Sequence, residues 1–342
     1  MKKWTGTIMG LAAGLCLQTL SAQEPLKVLV FGNSYSHCII EELPEFAKAA
    51  GERPVEVLCL RVGGLDKHWK AIEAGEKDPQ SPDSKVALET DYKAKICSAE
   101  EIKGKKWDVI VLQQFSSMSP DIKAWMPYAK NIFEYCKKSN PDARYVVYQT
   151  QAYRDDSIKF KGSANKNFRD PYSEDEMHQD IRNAVIAVAK ELKIEVVPVG
   201  DAFQVARKSP LWGYTFPDPA FDYLNAVAPA TPNEKNSLQI GFKWGTEVRK
   251  TGVAYQIDCH PNNLGRYIGG AVFYEVLFGK NVEDVNYVQE SKKGGGGGKK
   301  KNKSDLDLDA DKGLTPEGAA ALRKCAHQAV EEFKKQYPEL KP

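Results

Sequence analysis

The feature that most constrains the fold is a repeated alternation between short apolar runs and amphipathic stretches. Lys27–Phe31, Val55–Val62, Val109–Leu112, Tyr145–Tyr148 and Glu195–Val199 are rich in Val, Ile and Leu and read as buried strands. Between them Ile39–Ala50, Trp125–Lys138 and Glu174–Leu192 carry helical periodicity. Strands buried on both faces and separated by helices predict an open parallel sheet in a three-layer α/β/α arrangement. Right-handed crossovers place all the strand C-termini on one edge, where such folds keep their sites. The chain, at 342 residues, is long enough for one large α/β domain.

The first residues read as an export signal, 1–22. Lys2 and Lys3 supply a positive start, Ile8–Leu20 an apolar stretch, and Leu20-Ser21-Ala22 a small-residue cleavage site. The apolar part is short for a membrane span, and Cys16 follows Leu15, which disfavours a lipid anchor. The expected product is a periplasmic or secreted protein without a stable membrane anchor. The formal charge is +2; loss of Lys2 and Lys3 leaves the remainder close to neutral, so no nucleic-acid partner is expected. Cys38, Cys59, Cys97, Cys136, Cys259 and Cys325 show no CxxC spacing and no metal-ligand cluster, and their spacing leaves any disulfide pairing open.

Residues 23–342 are expected to form one domain with two irregular regions. The segment of about 203–252 carries Trp212, Tyr214, Phe216, Phe221, Tyr223 and Trp244 among prolines. It suits either a long loop packing aromatics on the body or a wall that stacks on a sugar ring. The segment of about 290–313 holds five consecutive glycines and clustered like charges, a composition that predicts a disordered insertion. Its Asp305, Asp307, Asp309 and Asp311 miss the calcium-loop pattern: position six is Ala310 and position twelve is Pro316. A last helix is predicted from Thr315-Pro316-Glu317 to about Gln336.

The first strand ends on Gly32-Asn33-Ser34. Such a turn is either an ordinary capped helix start or a display of a nucleophile at the sheet edge. A serine needs a base, and His260 stands two residues after Asp258 in YQIDCHPNNLG. Pro261 biases His260 to extended backbone, where side chains two apart point the same way. Asp258 could therefore hold Nδ1 and turn Nε2 towards Ser34; the alternative is a turn that caps the next helix through Asn262. That helix, Asn263–Phe278, is glycine-rich early and is expected to pack beside the first strand. Gly64 after the second strand and Gln113-Gln114 after the third supply candidate oxyanion donors. His68 and Trp69 either line a pocket or pack near the second loop, with Asn33 and Gln114 as further lining candidates. His37, His178 and His327 rank lower.

These blocks resemble the SGNH, or GDSL-type, hydrolase superfamily of flavodoxin-like esterases. Gly32-Asn33-Ser34, Gly64 in RVGGLDKHW, and Asp258 with His260 correspond to its nucleophile, glycine and Asp/His blocks. LQQFSS, PVGDAF and HPNNLGRYIGGAVFYEVL resemble an uncharacterised exported branch; the similarity spans most of residues 26–290 and the last helix. The usual GxND block is absent, and Gln113-Gln114 stand in its place. Gln at this block and an Asp two before the His also occur in the sialate O-acetylesterase-like branch. The resemblance implies a serine esterase with Ser34 as nucleophile, His260 as base and Asp258 as its orienter. It also implies an oxyanion hole from the N–H groups of Ser34 and Gly64 with the Gln113 amide, and no cofactor or metal. The expected substrate is a small-molecule or polysaccharide ester. An O-acyltransferase and a non-catalytic carbohydrate-binding protein are the rival expectations.

Overall fold

The computed structural model describes residues 23–88, 91–160, 172–213, 218–222, 225–227, 229–244, 255–289 and 314–340. Residues 1–22, where the export signal is expected, the 290–313 segment with its four aspartates, and Tyr214, Phe216 and Tyr223 lie outside the described residues.

The first strand, β1 (Leu26–Gly32), leads into α1 (Ser34–Ile40) and α2 (Leu43–Ala49). Then come β2 (Val55–Arg61), α3 (Leu65–Lys77), the edge hairpin β3 (Lys85–Leu88) and β4 (Asp91–Cys97), and α4 (Ser98–Gly104). After β5 (Val109–Leu112) follow α5 (Ile122–Trp125), α6 (Tyr128–Ser139), β6 (Arg144–Tyr148), α7 (Glu174–Leu192), β7 (Glu195–Val197) and α8 (Val199–Lys208). A separate two-stranded ribbon, β8 (Gln239–Trp244) and β9 (Tyr255–Pro261), precedes α9 (Asn263–Phe278) and α10 (Pro316–Gln336).

The main sheet runs β4-β3-β2-β1-β5-β6-β7, and its last five members are parallel. Their order is that of a flavodoxin-like doubly wound sheet, and chain direction across it reverses between β1 and β5. Alternation along the strands feeds two cores. Leu29, Phe31, Leu60, Ile110, Leu112 and Val147 join the face covered by α3, α6 and α7. Val28, Val30, Val109, Val111, Val146 and Tyr148 join the face covered by α1, α2, α8, α9 and α10. The three-layer α/β/α expectation is therefore met. No helix among the described residues is long and apolar enough to cross a membrane.

Two expected helices are broken. The run at 39–50 begins earlier, at Ser34, stops at Ile40 and resumes at Leu43 with a proline in its first turn. Pro44 has no N–H to donate back, so it suits a new start rather than an interior. The run at 125–138 divides at Met126-Pro127, where Met126 is extended (φ −99°, ψ 137°) as residues before proline prefer. Two early glycines of α9, Gly269 and Gly270, pack on the α1–α2 segment. A Cβ on Gly269 would lie 2.6 Å from Ile39 Cγ2, and one on Gly270 would collide with the Glu42 side chain. Gly269→Val should therefore cost about 1–3 kcal/mol by overpacking, measured by urea unfolding; an unchanged midpoint would contradict the close packing.

Candidate active site

The GNS turn closes β1 at the point where the sheet reverses direction. Asn33 is extended (φ −155°, ψ −160°), and its Oδ1 accepts the Tyr35 N–H at 3.0 Å, capping α1. Its Nδ2 donates to the Gly63 carbonyl at 3.1 Å, tying the loop after β1 to the loop after β2. Ser34 is thereby the first helical residue, with its N–H at the positive end of α1.

Ser34 Oγ lies 2.8 Å from His260 Nε2. His260 Nδ1 lies 2.7 Å from Asp258 Oδ1, which also accepts the His260 backbone N–H at 3.0 Å. A carboxylate only accepts, so the imidazole proton sits on Nδ1 and the Nε2 lone pair faces the serine hydroxyl. Both residues belong to β9, where extended backbone sends alternate side chains to one side. The His260 side chain is 36% exposed and Asp258 17%. The structure thus brings Ser34, His260 and Asp258 into one hydrogen-bonded row.

Gly64 caps α3, and a Cβ there would sit 2.6 Å from Gln114 Oε1 and 2.7 Å from Asp66 Oδ1, so only glycine fits. The N–H groups of Ser34 and Gly64 meet no protein acceptor among the described residues.

The glutamines correct the expected oxyanion hole. Gln113 is fully buried; its Oε1 accepts the Asn33 N–H at 3.2 Å and the Ser36 hydroxyl at 2.5 Å, and its Nε2 donates to the Gln114 carbonyl. The Asn33 N–H can only donate, which fixes the amide's orientation, and the whole side chain is buried away from the sheet edge's surface. Gln114 is equally buried; Oε1 accepts Leu65 and Phe115 N–H at 3.1 and 2.8 Å, and Nε2 donates to the Ala124 carbonyl at 2.5 Å. Gln114 therefore braces the loop instead of lining a pocket. His68 is likewise fully buried, with Nε2 2.9 Å from the Gly32 carbonyl and its ring edge-on to Phe31. Trp69 packs against Tyr135, and Asn33 is 4% exposed with both amide ends engaged. These four are scaffold.

Sequence reasoning missed the β8–β9 ribbon and its anchor. Arg154, fully buried, pairs bidentately with Asp156 at 3.0 and 2.7 Å and reaches Glu234 at 2.5 Å. Glu234 in turn accepts the Phe242 N–H of β8. Phe242 packs edge-on against both Phe221 and Trp244, so these three aromatics of the irregular region engage one another. The available signal was the R-x-D spacing of Arg154 and Asp156 after an apolar strand. His178 and His327 are part-buried beside Asp201 and Glu275. No disulfide joins the described cysteines. A cleft of about 470 Å³ lined by Leu26, Arg53, Trp107, Asp108 and Arg144 opens where the strands begin, at the edge opposite Ser34. It holds no nucleophile–base pair, so chemistry rather than concavity marks the site.

Together the fold and the site define a doubly wound α/β protein with a Ser-His-Asp row at the strand C-terminal edge. The chain belongs to the family described as a domain of unknown function, DUF4886, whose model matches residues 27–214. That match includes Ser34 and Gly64 and ends before Asp258 and His260. Among solved structures, a DUF4886 family protein from Bacteroides uniformis is 19% identical with a TM-score of 0.59, covering 92% of this chain and 96% of that one. A candidate SGNH hydrolase from Slackia heliotrinireducens is 15% identical with a TM-score of 0.43, covering 74% of this chain and 100% of that one. A candidate GDSL-like lipase from Parabacteroides merdae is 12% identical with a TM-score of 0.40, covering 74% and 95%. No curated protein matches the chain.

Burial lowers the His68 imidazole to about 4, so it is neutral in the folded protein at pH 7. The unfolded chain binds that proton near pH 6.5, so the group's contribution is complete above 6.5 and is lost as pH falls towards 4. The loss amounts to about 3 kcal/mol. Denaturant unfolding between pH 7 and 4 should show a shallower decline for His68→Gln than for wild type; parallel declines would contradict the buried neutral imidazole.

Proposed function

We propose that the protein is an exported serine esterase that removes O-acyl, most simply O-acetyl, groups from a carbohydrate. The observation that carries this reading is the hydrogen-bonded row Ser34–His260–Asp258, with distances of 2.8 and 2.7 Å. The resemblance of the GNS, Gly64 and D-x-H blocks to SGNH hydrolases supports it independently.

In this mechanism Ser34 Oγ attacks the ester carbonyl while His260 Nε2 takes its proton. Asp258 holds the imidazolium that forms. The N–H groups of Ser34 and Gly64 donate to the tetrahedral oxyanion, a donor pair without a glutamine amide. His260 then gives its proton to the leaving alcohol, and water activated by the same nitrogen hydrolyses the acyl-enzyme. The His260 side chain is 36% exposed, so water can reach Nε2 for the deacylation step. The Lys2, Lys3 and Ile8–Leu20 pattern supports export, and with it an extracellular glycan ester as substrate.

The test compares wild type, Ser34→Ala and Asp258→Asn on p-nitrophenyl acetate and on an acetylated polysaccharide. Ser34→Ala should fall to background, and Asp258→Asn should lose about 10⁴-fold in kcat. Equal rates in all three proteins would sink the esterase reading. Transfer of acetyl to an added glycan without release of acetate would favour the acyltransferase.

A further inference from the structure

We infer that Tyr35 is a positioning residue for the Ser34–His260 pair, holding the peptide between Asp258 and His260 against the nucleophile helix. This rests on the esterase reading. The argument starts from topology. The ribbon that carries Asp258 and His260 shares no ladder hydrogen bond with the main sheet, so its place relative to Ser34 depends on side chains.

Tyr35 directly follows the nucleophile and is 4% exposed. Its hydroxyl donates to the Cys259 carbonyl at 3.0 Å, and its ring lies 4.8 Å from the His260 ring, centroid to centroid. Gln151 Nε2 also approaches that carbonyl, at 3.4 Å. The carbonyl sits between Asp258 and His260, so any movement of it moves both.

A carbonyl only accepts, so Tyr35 must donate to Cys259. Burial pushes the Tyr35 hydroxyl well above its ordinary value, which keeps it a donor. The bond ties the start of α1 directly to β9.

Tyr35→Phe keeps the ring over His260 and removes only the donor. It should lower kcat on p-nitrophenyl acetate about 10- to 100-fold, as small misplacement of a reacting group does, with KM within about twofold of wild type. The downfield His260 Nδ1–H proton resonance, assigned by its absence in His260→Ala, should shift or broaden in the same variant. Gln151→Leu, which removes the second and longer donor to the same carbonyl, should move both readouts in the same direction and by less. Wild-type kcat and an unchanged resonance in Tyr35→Phe would overturn the proposal; should that variant not fold, the same results in Gln151→Leu would do so. An inactive wild type would remove the esterase reading, while the resonance would still decide whether Tyr35 holds His260.

Discussion

The rest of the site depends on a hydrogen bond between groups 226 residues apart, Ser34 Oγ and His260 Nε2. Neither partner is held by the other alone. Ser34 is placed by the capped start of α1 on the end of a strand buried from Val28 to Gly32. His260 is placed by a ribbon outside the main sheet, so its support comes from below and behind. Arg154 with Asp156 and Glu234 grips β8. Asn262 closes the corner after β9 by donating to the Ser237 and Gln239 carbonyls at 2.7 and 3.1 Å while capping α9 through Gly265. Removing one member of a buried ionic group leaves an uncompensated charge, a cost of about 3–5 kcal/mol, so the strand that carries Asp258 and His260 rests on a feature that tolerates little change.

The turn that carries Ser34 is pinned from two sides by neutral buried groups. His68 Nε2 meets the Gly32 carbonyl, and Gln113 Oε1 meets the Asn33 N–H. These bonds satisfy backbone groups that the end of β1 would otherwise leave unpaired in the core. Residues that look like reactive chemistry in the sequence thus serve the geometry of their neighbours. In the proposed mechanism the reacting set reduces to one hydroxyl, one imidazole, one carboxylate and two backbone N–H groups.

What the sequence revealed follows from where the physical signal is strong. Five apolar runs flanked by helical periodicity are unambiguous for a parallel sheet, and their ends locate the edge that holds Ser34. Asp258 and His260 were legible because Pro261 restricts the backbone before it. The β3–β4 hairpin was not legible: Lys85, Lys93 and Lys95 interrupt the apolar pattern that marks a buried strand. The β8–β9 ribbon was hidden because Gly241 sits at a bulge with φ 79° and breaks the alternation. The error over Gln113 has a different origin. Position at a strand end says that an amide is near the edge but not which way it turns, and here the Asn33 N–H claims its oxygen.

The most direct test of the account is covalent labelling of the native protein by a fluorophosphonate, read by intact mass and peptide mapping. An activated serine whose proton passes to His260 should acquire a single adduct on Ser34, and His260→Ala should not acquire it. Absence of any adduct on wild type, or an adduct on another serine with Ser34 unmodified, would contradict the central claim.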